Sequence, residues 1–250
     1  GEGRWHFLFP FYWAPESRAV LQGQALAFTV AAIFLLVGFR PRLFTLVLAY
    51  VHASFQIRNP FILNSGDRLF MIIAALAALA PLGHKYSVDA WLRARRGEAA
   101  PAAMIWGQRI IGLQIAYVYL NSAFAKLANK RWQNGMALRD VLASPVFAEW
   151  PTYVDFRPLV WGMTYSTLLL ELSFPLGVWL KRYRPYLIAW GVAFHVGIDL
   201  LMVIPIFSAI MIASYPVYLT DDETKWVLAR LRRPSLLFER RKPEAAGEVS

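Results

Sequence analysis

The sequence predicts an all-α membrane protein: a polytopic bundle of about seven spans, with an interfacial helix on its outer face and a basic helix on its inner face. Three observations carry that reading. Hydrophobic residues make up 58% of the 250 residues and charged residues only 17%, with a mean hydropathy of +0.41; a soluble domain carries about a quarter charged residues. Ala19 to Phe39 holds no charge at all and matches the roughly 20 residues that one helical crossing requires. From Leu159 to Leu219 the charges are Glu171, Lys181, Arg182, Arg184, Asp199 and, when protonated, His195. A carboxylate inside such a run costs about 3 kcal/mol or more unless it faces protein or water. Polar residues within these runs therefore point inward, and function is to be sought among them.

The apolar segments follow in order. Ala19 to Phe39 is the clearest, and Leu43 to Ile57 is shorter and carries His52 and Gln56. Leu69 to Leu82 is short, and Met104 to Leu127 holds Arg109 near one end and Lys126 near the other. Leu159 to Leu180 is long enough, if helical, to span the roughly 30 Å hydrocarbon core. Tyr186 to Val203 and Ile206 to Leu219 are separated by Pro205, which ends or kinks a helix because it lacks an N–H and fixes φ.

Orientation follows from the basic residues, which accumulate in cytoplasmic loops. If Arg40 and Arg42 are inside, alternation also places Lys85 to Arg96, Lys181 to Arg184 and the tail from Lys225 onward inside. Together these hold 16 of the 26 Lys and Arg. The other side holds 8 (Arg4, Arg18, Arg58, Arg68, Lys130, Arg131, Arg139 and Arg157), while Arg109 and Lys126 lie within a span. Seven crossings with the N-terminus of this chain outside and its C-terminus inside follow, as expected of a multi-pass protein of a bacterial inner membrane. The chain is read as one transmembrane domain over residues 1–220 and a basic cytoplasmic tail over 221–250.

The segments between spans carry further structure. Gly1 to Glu16 is aromatic and broken by proline, as in an interfacial loop, and one more helix is expected upstream. In the outer loop Asn129 to Pro158, the spacing of Trp132, Met136, Leu138, Val141 and Leu142 predicts an amphipathic interfacial helix. Trp226, Leu228 and Leu231 with Arg230, Arg232 and Arg233 predict a basic surface helix attracted to anionic lipid. The formal charge of +10 thus reads as topology, and no nucleic-acid partner is indicated.

Several chemistries are excluded. With no cysteine and four scattered histidines, there is no thiol chemistry and no metal-ligand spacing; no Gly-rich phosphate loop or GxSxG is present. What remains is polar residues within spans. Lys126 follows Asn121 and Ser122 near the outer end of its span. An amine held in apolar surroundings can serve as a neutral base, while a lysine at a helix end can equally snorkel to the interface. His195 and Asp199, four apart, share a helix face, so the carboxylate can orient or charge the imidazole; a purely structural pair is the alternative. Glu171 requires a partner, with Arg109, His52 or a tyrosine hydroxyl available. Asp67, ahead of an apolar run, suits a helix N-cap.

Three stretches carry a family resemblance: Ile57-Arg58-Asn59-Pro60, Leu63-Asn64-Ser65-Gly66-Asp67, and Pro81-Leu82-Gly83 with Tyr86-Ser87-Val88-Asp89. With Ala125-Lys126-Leu127, Trp132 and Gly135, and with Phe194-His195 through Phe207-Ser208 and Met211-Ile212-Ala213, the chain resembles the horizontally transferred transmembrane (HTTM) domain family. These are bacterial relatives of vitamin K-dependent gamma-glutamyl carboxylase. The resemblance implies a role for Lys126 as the base toward a reduced quinone-like lipid, with His195 beside it. Gly66 stands where the carboxylases carry a functional histidine, and the chain ends at Ser250 without their large extra-membrane region, so glutamate carboxylation is the least expected activity. The expected site is an outward-opening polar pocket for a lipid- or quinone-like ligand, lined by Lys126, Asn121, His195, Asp199 and Glu171. The rival reading is a non-catalytic subunit packed on other membrane proteins.

Overall fold

The computed structural model describes residues 18–58, 64–80, 82–99, 105–204 and 206–232. The aromatic N-terminal stretch, Pro205 and the tail from Arg233 onward lie outside the described residues. The chain is all-α, and among the described residues there is no strand, only an isolated antiparallel bridge between Ala148 and Met202. Helices occupy each of the seven apolar segments. They are α1 (Arg18–Leu36), α2 (Pro41–Arg58), α3 (Ser65–Ala77), α5 (Ile105–Leu127), α8 (Arg157–Gly177), α9 (Arg184–Leu201) and α10 (Phe207–Ser214), the last continued by a 3-10 turn over Tyr215–Tyr218. Shorter helices fill the connections: α4 (Val88–Arg95), α6 (Lys130–Gln133), α7 (Ala137–Ala143) and α11 (Asp221–Arg232).

Length and apolarity alone qualify two of these for a bilayer crossing, Arg18–Leu36 and Trp106–Leu127. The others fall short for visible reasons. Helix α3 is short, α2 is diluted by Arg42, His52 and Gln56, and α8 has the length but carries Thr164, Thr167 and Glu171. Seven helices are thus present where the sequence predicts seven spans, while two meet the criterion by themselves.

Contacts sort the connections into two ends. At one end Val88 and Asp89 donate backbone N–H to the carbonyls of Val37 and Gly38. Lys85 reaches Asp221 at 3.9 Å, and Arg184 pairs with Glu223 at 2.7 Å. This end gathers Arg40, Arg42, Arg93, Arg95, Arg96, Lys181 and Arg182 as well. At the other end Thr152 N–H donates to Leu142, Glu149 N–H to Leu201, and the Tyr165 hydroxyl to the Gln133 carbonyl. Chain direction therefore reverses between the helices whose connections these contacts place, and the basic residues of the described connections concentrate at one end.

Local chemistry explains the element boundaries. Helix α3 starts at a capping box: the Asn64 side chain accepts from the Gly66 and Asp67 N–H groups, and the Asp67 carboxylate accepts from the Asn64 N–H. The cap is thus Asn64 rather than Asp67, which sits three residues on and also meets His52 at 3.3 Å. The expected outer helix is two short ones, because Gly135 takes φ +76° between them, where a Cβ would press on Trp161 and Tyr165.

Polarity is inverted relative to a soluble protein. Leu26, Leu113, Leu169 and Leu176 are exposed, whereas Gln24, Thr164, Glu171, His195 and Ser208 are buried. The core lies among α5, α8, α9 and α10, where Ile115, Leu170, Phe174 and Met211 are fully buried and Tyr119, Tyr215 and Tyr218 pack around Phe174.

Candidate functional site

The site is built on α5. Residues three and four apart on a helix share one face, so Tyr119, Ser122 and Lys126 form a polar stripe aimed at α8. There Glu171 takes both groups: its Oε1 accepts from the Lys126 ammonium at 2.6 Å and from the Ser122 hydroxyl at 3.1 Å. Lys126 also donates to Ser122 at 2.5 Å, and its Nζ stands 5.0 Å from the Trp132 ring centroid, a cation–π distance. The Glu171 side chain is 4% exposed and that of Lys126 is 21% exposed. The second Glu171 oxygen, Oε2, is buried without a hydrogen-bond partner.

One turn deeper a second polar group forms. The Tyr119 hydroxyl lies 3.0 Å from His195 Nε2 and 2.5 Å from the Tyr215 hydroxyl. His195 is buried, with Phe194 and Phe207 against its ring, and its Nδ1 has no partner. The Tyr119 oxygen bridges the two rings, so its proton lies toward either one.

Both groups border a cavity of about 600 Å³ between α3, α5, α8 and α9, roofed by α6 and α7. Its wall is apolar through Leu69, Ile72, Val118, Phe194 and Phe207 and polar at Asn121, Lys126, Glu171 and His195. Four of the five sequence-predicted residues thus meet on one cavity.

The exception is Asp199. It is exposed near the end of α9, does not line the cavity, and makes no ion pair among the described residues. Four residues advance a helix by about 400°, a rotation of some 40° from one side chain to the next. His195 faces α5, whereas Asp199 lies two residues from the helix end. The expected His195–Asp199 pair is replaced by His195–Tyr119. The candidates for Glu171 are corrected as well: its partner is Lys126, and His52 belongs to Asp67.

Tyr119, Tyr215 and Arg68 were not singled out from the sequence. The i, i+3, i+7 spacing of Tyr119, Ser122 and Lys126 is a usable signal, but Tyr215 is brought to Tyr119 from 96 residues away. Outside the helical bundle, Arg131 clamps Asp140 and holds its carboxyl below the usual range through that hydrogen bond, tying α6 to α7. Among the described residues no cluster of three or more potential metal ligands exists.

A family model described as the HTTM domain matches residues 5–223. The chain belongs to the HTTM domain family. That stretch contains every residue of the cavity. Among curated proteins, "Sporulation-delaying protein SdpB" of Bacillus subtilis (strain 168) is 26% identical over 196 residues, covering 73% of this chain and 59% of that protein. The chain thus spans about three fifths of the length of the curated relative it matches. No solved structure matches. Membership of the HTTM family, together with two helices apolar enough to cross a bilayer, points to a membrane protein.

Proposed function

We propose that this HTTM protein crosses the bacterial inner membrane seven times, basic end inside, and holds a lipid- or quinone-like ligand in its intramembrane cavity. The observation that carries the proposal is the Lys126–Ser122–Glu171 cluster on the wall of a cavity of about 600 Å³, a volume in the range of small-molecule sites. Buried ion pairs add little stability compared with apolar packing, whereas ionisable residues inside membrane bundles characteristically mark ligand or proton pathways. The unpartnered Glu171 Oε2 and His195 Nδ1 supply hydrogen-bonding capacity to a polar head, with apolar wall for its ring or chain. The inverted polarity and the alternation of helix ends support the seven crossings.

Lys126 is the residue that would move a proton in such a site. Its ammonium donates to the Glu171 carboxylate and to the Ser122 hydroxyl, so a proton leaving Lys126 passes to Glu171, and only then is the amine, which lines the cavity, free to act as a base. The test is purification from native membranes followed by mass spectrometry of bound lipids and proteins. A chain-bearing ligand retained by the wild type and lost from Asn121→Trp, which fills the cavity from an exposed wall position, supports the proposal. Co-purification of a fixed stoichiometric partner with no retained small lipid would favour the accessory-subunit reading instead. That reading draws on Asp199 of α9, exposed and without an ion pair among the described residues, a carboxylate that a neighbouring subunit would shield from lipid.

A further inference from the structure

The cavity has a direction. Its α5 wall runs from Gln114 to Lys126, about 18 Å at 1.5 Å per residue, so the long axis lies along the bundle. Toward the basic end lie Ile72 of α3 and Val118 and Gln114 of α5, with Phe194 on the facing α9; Phe207 opens α10 at the outer end, where the cations Arg68 and Lys126 also stand. There the charges do not cancel. Lys126 is neutralised by Glu171, but Arg68, also on the wall, is exposed and has no carboxylate within ion-pair distance among the described residues. Nearby Asp67 is engaged by His52 and by the Asn64 N–H. Among the described residues, Arg68 thus leaves one positive charge of the outer half without a paired carboxylate.

The wall is also open on one side. Arg68 and Ile72 on α3 and Tyr117 and Asn121 on α5 line the cavity and are exposed at the same time. The opening therefore lies between α3 and α5, along the flank of the bundle rather than at its capped outer end, where α6 and α7 form a roof.

We infer that the cavity takes an anionic amphiphile of the outer leaflet, its phosphate or carboxylate head on Arg68 and its chain laid down the apolar half, entering sideways between α3 and α5. This rests on the reading of the cavity as a lipid site and adds the charge of the ligand, its orientation and its route. An outer-leaflet lipid already has its head at the height of Arg68 and its chain pointing toward the membrane midplane, so it enters without inverting. An arginine is suited to the head because its guanidinium fork binds phosphate or carboxylate through two parallel hydrogen bonds.

The test is native mass spectrometry of the full chain in detergent, titrated with phosphatidylglycerol and with phosphatidylcholine of the same acyl chains. Wild-type protein should bind phosphatidylglycerol about tenfold more tightly, a preference of about 1.4 kcal/mol. Arg68→Gln should abolish the preference by weakening phosphatidylglycerol much more than phosphatidylcholine, whose phosphate also meets the fork but whose choline cation already offsets the charge, and Ile72→Trp should weaken both lipids. If Arg68→Gln keeps the preference, the anionic-head assignment is overturned while the lipid cavity stands. If Ile72→Trp leaves both affinities unchanged, the lipids sit on the outside of the bundle and the lipid-cavity reading itself falls. Millimolar inorganic phosphate should not compete; full competition would make the site one for a soluble anion and overturn the amphiphile.

Discussion

Removing the ammonium of Lys126 tests whether the pair with Glu171 is a true buried charge pair. In Lys126→Met the apolar stem remains, but Glu171 Oε1 loses its 2.6 Å partner and keeps only Ser122 at 3.1 Å, while Oε2 already has none. Breaking a buried pair so that one charge is left uncompensated costs about 3–5 kcal/mol. Because the Lys126 side chain is 21% exposed, the lower end applies, about 3 kcal/mol. For a chain of this size that lowers the melting temperature by about 6–12 °C. Glu171→Gln should cost less, about 1 kcal/mol, because the stranded ammonium keeps Ser122, the Trp132 face and partial access to water. The double variant Lys126→Met/Glu171→Gln leaves no charge behind and should recover at least about 2 kcal/mol of the single lysine loss, as a coupled pair requires. Thermal unfolding of the four proteins in one detergent checks this. Equal, additive losses, or Glu171→Gln more damaging than Lys126→Met, would refute the buried pair. The comparison also settles how Lys126 is to be tested for function: Lys126→Met alone combines loss of an amine with loss of stability, and the double variant separates them.

Reporter fusions at Gly97 and Asn134 should give cytoplasmic and external signals respectively; the reverse would overturn the proposed orientation. Gly107→Ala should destabilise by about 1–3 kcal/mol, because an added Cβ meets the backbone of Leu79 and Ala80, whereas Gly162→Ala, with open space around it, should be neutral or stabilising by up to about 1 kcal/mol; thermal unfolding distinguishes them. At the basic end, burial alone would raise the Glu223 carboxyl, but the Thr220 backbone and hydroxyl and the Arg184 guanidinium outweigh it and hold it below the ordinary 4.5. A depressed carboxyl stabilises the folded state above the unfolded value and loses that contribution as pH falls through the folded one. Docking of α11 should therefore weaken below about pH 4.5, seen as faster hydrogen exchange, and Glu223→Gln should remove the pH dependence.

Seven helices were legible in the sequence because apolar runs and their charged boundaries are local properties. Ala19 to Phe39 and Met104 to Leu127 each correspond to a single helix within a few residues, α1 and α5. Helix termini were less legible. Asn64 outcompetes Asp67 for the N-cap because the carboxylate serves better at the third helical position, where it closes the box and still reaches His52. The break at Gly135 depends on Trp161 and Tyr165 packing against it from α8, a contact with no trace in the local pattern. At the site, the types of residue were legible but not their pairing. Lys126 and Glu171 are 45 residues apart and Tyr119 and His195 are 76 apart; only packing of α5 against α8 and α9 joins them. The His195–Asp199 expectation failed because a shared helix face says nothing about how far the neighbouring helices extend to cover it.

The arrangement of polarity along α5 argues that its buried charge is tied to the cavity rather than to folding alone. Below Tyr119 the helix meets its neighbours through Ile115, Ile111 and Gly112, where close apolar packing and the Tyr218 hydroxyl on the Gly112 carbonyl suffice. Above it, on the cavity wall, packing gives way to Ser122 and Lys126 against Glu171. Had the charge pair been needed to hold α5 and α8 together, it would be as useful at the level of Ile111, Gly112 and Ile115, which do not line the cavity. It lies instead on the cavity wall, where the carboxylate and ammonium can meet a molecule in the cavity. Stability in the lower half and chemistry in the upper half are thus separable, and substitutions at Ile115 and at Lys126 should part accordingly: the first affects melting without changing lipid retention per folded molecule, and the Lys126→Met/Glu171→Gln variant does the reverse.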